Sequence, residues 1–359
     1  MLQGTADHAA GAFNRFNAVQ QVPISCTANG YHDGGQPTMK AAVLNQYGVP
    51  CYGDFDEPSP QNGHSLVAVS AASVNAIDVA MASGRHPFSP KVLPVVAGIE
   101  GVGVTQGRRV YFFGPAAPYG SMAQTTVVPD TNMFDVPEGL DDARAAALGN
   151  GGLAAFMPLR DGAAIRPGER VLILGATGVV GRLAIQCAAA LEAGQIVAAG
   201  RDRDALDRAA ELGATSTISL ADSRPLDDIM REAAPAGFDI ILDYLGGEPA
   251  SAASHVLAPR GRLIQLGDRA GGEMTVTVAP LRAVGASIIG FMPAYYGLAA
   301  MRSAYATLTQ LTLEGTLIVE TTTAPLRAVE DVWQARRDAG AKLVLSIGEA
   351  GHTSQHPVD

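Results

Sequence analysis

The stretch RVLILGATGVVGRLAIQCAAAL, Arg170 to Leu191, decides the fold. It begins as a short apolar run of the kind a strand covered on both faces shows, passes through Gly175, Gly178 and Gly181, and continues as an Ala- and Leu-rich helical segment. A strand turning directly into a helix needs one glycine at the turn. It needs a second where backbone N–H groups approach a pyrophosphate and a third where helix and strand pack closely. The helix N-terminus then favours the negative charge. A glycine triplet alone also suits any tight α/β turn. The strand-loop-helix context points to a dinucleotide, with Gly175, Ala176, Thr177, Gly178, Val179, Val180 and Gly181 as its cradle.

Working outward, QIVAAG (195–200) ends in Gly200 and is followed by Arg201. An NAD-preferring domain places an acidic residue here to hold the ribose hydroxyls. A small residue instead leaves room for a phosphate. Arg201, supported by Arg203, offers a planar and permanently charged donor set, which favours NADPH. Alternatively, both arginines lie in solvent at the start of a helix capped by Asp202 or Asp204. TSTISL (215–220), FDIILDYLG (238–246), RGRLIQLG (260–267) and GASIIGF (285–291) complete six strands separated by helical segments. That alternation predicts a doubly wound parallel sheet. Ligand contacts gather at the C-terminal ends of such strands, where Tyr244, Leu245, Gly246, Leu266 and Gly267 fall.

Upstream the pattern changes. MKAAVLNQYG (39–48), HSLVAVSAASVN (64–75), VVAGIEGVGVT (95–105), RRVYFF (108–113) and SMAQTTVVP (121–129) read as strands between turn signals, and predict a small barrel. Asp141 and Asp142 precede ARAAALG as helix caps do, and LAAFMPL (153–159) reads as a crossing between domains. Near the C-terminus, LAAMRSAYATLTQLTLEG (298–315) and PLRAVEDVWQARRDAG (325–340) read as helices. The short strands LIVE (317–320) and KLVLSI (342–347) follow them and return to the first domain. The predicted division is an extension over 1–38, a β-rich domain over 39–157 and 296–348, a nucleotide-binding domain over 158–295, and a tail over 349–359.

The net charge of −10, from 35 acidic against 25 basic side chains, disfavours nucleic-acid and anionic membrane surfaces as partners. No apolar run is long enough to span a bilayer. Cys26, Cys51 and Cys187 are widely spaced and cannot all pair, which predicts a reducing, cytoplasmic setting.

Over residues 39–347 the chain resembles the medium-chain dehydrogenase/reductase superfamily. SVNAIDVAMASG (73–84), VVAGIEGVG (95–103), GATGVVG (175–181), AAELGAT (209–215), FDIILDYLGG (238–247), GRLIQLG (261–267) and GAKLVL (340–345) carry the resemblance. It implies an α/β protein with a GroES-like β-rich catalytic domain and a Rossmann doubly wound parallel-sheet domain. It also implies a homodimer paired through the sheet edge near GASIIGF. The superfamily's zinc enzymes place Cys, His and Cys where this chain looks to have Asn75, Ile99 and Asn150, so the resemblance implies no metal. What remains is similar to the zinc-free quinone oxidoreductase branch, in which NADPH gives hydride to a small electrophilic carbonyl or quinone.

In that branch the asparagine matching Asn75 lies near nicotinamide and substrate, where its amide can donate to a carbonyl. Asn75 is equally a cap for a helix starting near Ala76, and Asp78 reads as structural. Relatives carry tyrosines where this chain has Ala80 and His86. Tyr119, Tyr295 and Tyr296 are therefore cleft candidates, with Tyr295 the expected catalytic partner of Asn75, and His86 is a proton source or an exposed loop residue. Two alternatives stand beside this expectation. An enoyl-thioester reductase would need basic residues at the cleft mouth, and Lys40, Lys91 and Lys342 are the only lysines. A non-catalytic NADPH-binding protein would keep the fold without turnover.

Overall fold

The computed structural model describes residues 37–335 and 340–348. The expectations for most of the N-terminal extension, for Cys26 and for the tail lie outside the described residues.

Six strands form one all-parallel sheet: β9 (Arg170–Leu174), β10 (Gln195–Gly200), β11 (Ser216–Ser219), β12 (Phe238–Asp243), β13 (Leu257–Gln265) and β14 (Ser287–Gly290). Their spatial order is β11-β10-β9-β12-β13-β14, the doubly wound arrangement expected from sequence. Side chains alternate across a strand, so the apolar runs feed two cores. Ile173, Ala198, Ile240, Leu242 and Ile264 pack on one face with Leu183, Ala184 and Cys187 of the helix Val179–Ala190. Leu172, Leu174, Val197, Ile241 and Leu263 pack on the other with Ile229 and Met230 of the helix Leu226–Ala233. Burial on both faces explains why these strands read as continuous apolar runs.

The β-rich part contains β1 (Thr38–Leu44), β2 (Cys51–Asp56), β3 (His64–Ser73), β4 (Val95–Val96), β5 (Glu100–Thr105), β6 (Arg108–Phe113), β7 (Thr125–Pro129) and β8 (Met133–Asp135). The C-terminal return adds β15 (Thr321–Pro325) and β16 (Lys342–Ser346), with β16 antiparallel to β3. One sheet runs β15-β16-β3-β5-β6-β8, with β7 also pairing β3, and a smaller one runs β2-β1-β4.

Two expectations are corrected. LIVE is not a strand; the strand is the following TTTAP. The side-chain amide of Gln186 clasps the backbone of Ile318, accepting from its N–H at 2.7 Å and donating to its carbonyl at 3.1 Å, so hydrogen bonds a ladder would use are met by a helix side chain. Cys51 is disulfide-bonded, which removes the cysteine argument for a reducing compartment. Cys187 is free, and burial pushes its thiol up to about 12, so it packs as a small inert apolar side chain.

The crossing between the two parts is helical. Asp141 caps the helix Asp142–Ala147, its carboxylate accepting from Arg144 N–H at 2.8 Å. The turn Leu148–Gly152 and the helix Leu153–Met157 follow. Gly149 is required in that turn: a Cβ there would lie 2.3 Å from the Tyr111 ring and 2.4 Å from Glu100 Oε2. Tyr305, from the helix Leu298–Leu313, stacks on Tyr111 at 4.6 Å and donates to the Ala145 carbonyl at 3.0 Å, joining the return helix to the crossing. Among the described residues no helix is long and apolar enough to cross a membrane.

Candidate functional site

β9, β12 and β13 are neighbours, so the loops leaving their C-terminal ends meet. At the first, Gly175 has φ +84° and donates its N–H to the Ala199 carbonyl at 3.0 Å. Gly178 stands at the N-cap of the helix Val179–Ala190. A Cβ on Gly181 would come within 2.3 Å of the Gly175 carbonyl oxygen, so helix and turn touch only because that position is bare. A Cβ on Gly178 would meet nothing nearer than 3.4 Å, so protein packing does not dictate glycine there. Gly200 closes against Thr177, whose methyl would stand 2.6 Å from a Cβ at 200.

The second and third loops hang on Asp243, which the sequence reading passed over. Its carboxylate is fully buried and its Oδ1 accepts the N–H groups of Leu245 and Gly246, each at 2.9 Å. Its carbonyl accepts Leu266 N–H at 2.8 Å and Gly267 N–H at 3.2 Å. Burial raises the Asp243 carboxyl above the usual range. Tyr244 donates to the Ala154 carbonyl at 2.9 Å, fastening the second loop to the crossing helix. The predicted contacts Tyr244, Leu245, Gly246, Leu266 and Gly267 therefore all surround one acidic anchor beside the glycine turn. Arg201 and Arg203 are exposed, and Asp202 caps the helix Arg203–Asp207 through Ala205 N–H at 3.1 Å.

A buried polar cluster forms the second feature. Asn75 occupies the N-cap position of the helix Ala76–Ala82, and its backbone N–H donates to Asp78 at 2.6 Å. Asp78 also accepts Ile99 N–H at 3.1 Å, the structural part expected of it. The Asn75 side chain donates to Glu100 Oε1 at 2.9 Å and accepts a hydrogen bond from Lys342. Glu100 Oε2 accepts from Tyr111 OH at 2.7 Å and from Asn150 N–H at 2.6 Å.

Burial raises the Asp78 carboxyl to about 6, against the hydrogen bond from Asn75 N–H that pulls it down. Burial also raises Glu100, with the Lys342 ammonium opposing the shift. Burial and the neighbouring Glu100 charge push Tyr111 far up, so it is a permanent donor. The sequence reading gives Glu100 no role, and Lys342 only a place among the lysines weighed for a thioester mouth. The available signal was a lone charge inside an apolar strand, as in GIEGVGV and AKLVLS.

Other expected residues are placed elsewhere. Tyr295 is 85% exposed in the turn Pro293–Tyr296, whereas Asn75 is 2% exposed. Tyr296 lies against Phe291 and Tyr119 packs edge-on to Phe55. The half-buried His86 accepts from Phe88 N–H within its own loop. Of the lysines weighed for a thioester mouth, Lys342 is buried and Lys40 pairs with Asp54 at 2.8 Å.

The family model described as "Zinc-binding dehydrogenase" matches residues 179–319. The chain is 33% identical over 319 residues, 84% of its length, to a mycocerosic acid synthase-like polyketide synthase of Mycobacterium tuberculosis, but spans 15% of that protein. It is 28% identical over 271 residues to the quinone oxidoreductase of Sus scrofa, covering 71% of this chain and 80% of that one. The solved structure of an alcohol dehydrogenase superfamily protein from Novosphingobium aromaticivorans superposes with a TM-score of 0.75 at 26% identity, over 87% of this chain and all of the other. The chain belongs to the medium-chain dehydrogenase/reductase superfamily, in its quinone oxidoreductase branch.

The zinc in the family model's description does not fit these residues. Ile99 has no donor atom, Asn150 turns its N–H to Glu100, and both Glu100 oxygens already accept hydrogen bonds. Among the described residues no three His, Cys, Asp or Glu side chains stand close enough to hold a metal ion.

Proposed function

We propose that the chain is a zinc-independent, NADPH-dependent reductase of quinones or α,β-unsaturated carbonyls. The carrying observation is the convergence of three loops, at Gly175–Gly181, Tyr244–Gly246 and Leu266–Gly267, on the C-terminal edge of the parallel sheet. The bare Gly178 leaves room for a pyrophosphate at the N-terminus of a twelve-residue helix. The small Gly200 and exposed Arg201 suit a 2′-phosphate, while the Asp202 cap beside them offsets part of that charge.

NADPH, when bound, supplies a hydride to the electron-poor acceptor. The chain's contribution is position: Asn75 offers its amide to the acceptor oxygen, and the crossing helix tied to Tyr244 holds the two halves of the cleft together. Tyr295 is proposed as a further acceptor contact, one that a bound substrate or a second copy would cover. The free edge of β14, last in its sheet, supports a homodimer, and the net charge of −10 supports partners other than nucleic acid or membrane. A cytoplasmic setting rests only on the likeness to quinone oxidoreductases, and the Cys51 disulfide speaks against it.

The likeness to a polyketide synthase segment favours a second reading, an enoyl-thioester reductase. Burial of Lys342 weakens it, since that ammonium is not at a cleft mouth. NADPH oxidation by the full chain with a quinone, an enone and an enoyl thioester separates them. Turnover of the quinone or enone supports the first reading, thioester turnover alone supports the second, and tight NADPH binding without turnover leaves a binding protein.

A further inference from the structure

Lys342 enters on β16 and Asn75 leaves from the end of β3, and the pairing of those strands joins the two side chains across 267 residues. The Asn75 amide thus lies between partners of opposite character. An ammonium only donates, and an ionised carboxylate only accepts. Oδ1 therefore faces Lys342, and Nδ2 faces Glu100 at 2.9 Å. Turning the amide over would set donor against donor and acceptor against acceptor. Glu100 cannot swing aside, because Tyr111 and Asn150 hold its other oxygen at 2.7 and 2.6 Å. Asn75, Glu100 and Lys342 are 2%, 1% and 6% exposed, so water offers little competition.

We propose that Lys342 is a positioning residue which, with Glu100, locks the Asn75 amide in one orientation and so fixes the donor that an acceptor carbonyl meets. This rests on the reading of Asn75 as the acceptor-binding amide. Lys342 touches neither cofactor nor substrate; it acts through Asn75. Both charged groups reach the same amide, and removing either one alone leaves the other buried without the group that faced it across Asn75.

The test uses the full chain with Lys342→Met, Lys342→Arg and the double variant Glu100→Gln/Lys342→Met. Lys342→Met strands the Glu100 charge and lowers the melting temperature. The double variant removes both charges, and the glutamine, whose oxygen takes the Tyr111 and Asn150 donors, turns its Nε2–H to Asn75 and so favours the reversed amide. Its melting temperature is expected to return toward wild type, while kcat stays about tenfold or more below it with the KM for NADPH unchanged. Lys342→Arg, which keeps a permanent donor, is expected to retain most of kcat.

A double variant with kcat within about twofold of wild type overturns the proposal, because a merely structural pair recovers activity together with stability. A double variant that does not fold, or an Lys342→Arg variant no better than Lys342→Met, overturns it as well. Should the wild-type chain reduce no acceptor, the functional reading fails separately. The lock is then read from the Asn75 side-chain amide protons: close to residue 100 in wild type and turned toward residue 342 in the double variant supports it, and an unchanged position in both overturns it.

Discussion

The loops at the edge of the parallel sheet and the cluster around Glu100 do their work with opposite materials. In the first, glycines and backbone N–H groups shape a surface, and the only buried charge, Asp243, holds loops in place. In the second, two buried carboxylates and one ammonium gather side chains from β5, β6, β16 and the helix Ala76–Ala82 with its Asn75 cap, and a backbone N–H from the crossing. A site for a large anionic ligand is built from what is left bare. A site that must orient one amide is built from what is charged and enclosed. The two should therefore fail differently when altered.

The largest expected effect belongs to the charged cluster. Glu100→Ala takes away one of the two buried carboxylates that face the Lys342 ammonium, together with the acceptor of Tyr111 and Asn150, and should lower stability by about 3–5 kcal/mol in denaturant unfolding. Gly181→Ala comes next. Its methyl would press on the Gly175 carbonyl, so NADPH affinity should fall at least about tenfold while the melting temperature moves less than in Glu100→Ala. Unaltered affinity would break the distinction between the two regions.

A pH effect sharpens it further. The Asp78 carboxyl rises from 3.8 to about 6 on folding, so the native state binds its proton more tightly than the unfolded state. Its contribution is greatest below about pH 4 and is lost as pH rises through about 6, by up to ~3 kcal/mol. Melting in a buffer series should show this downward slope, and Asp78→Asn should flatten it. The smallest effect lies outside both regions: Asp141→Ala removes a helix cap and should cost about 1 kcal/mol with no change in KM for either substrate.

Much of this fold is written locally. The six parallel strands are legible because burial on both faces turns each into a continuous apolar run, and the glycine turn because its geometry is set within seven residues. β2 was not legible: CYGDFD is a half-exposed edge strand with no apolar alternation, and only its pairing with β1 makes it one. LIVE misleads for the reverse reason, being apolar yet held by Gln186 instead of a ladder. The partnership of Asn75 with Lys342 could not be read, since it depends on the chain's last described strand returning to the end of β3. Tyr295, a cleft candidate by sequence, stands in a turn that faces solvent.

The central claim, a phosphorylated dinucleotide held at the ends of β9, β12 and β13, is tested most directly by fluorescence titration of the full chain with NADPH and NADH, beside Arg201→Ala. The account predicts that NADPH binds about tenfold or more tightly than NADH, and that Arg201→Ala removes most of that preference while leaving NADH affinity unchanged. Equal binding of the two cofactors by the wild-type chain would contradict the phosphate assignment at Gly200 and Arg201, and binding of neither would contradict the site itself.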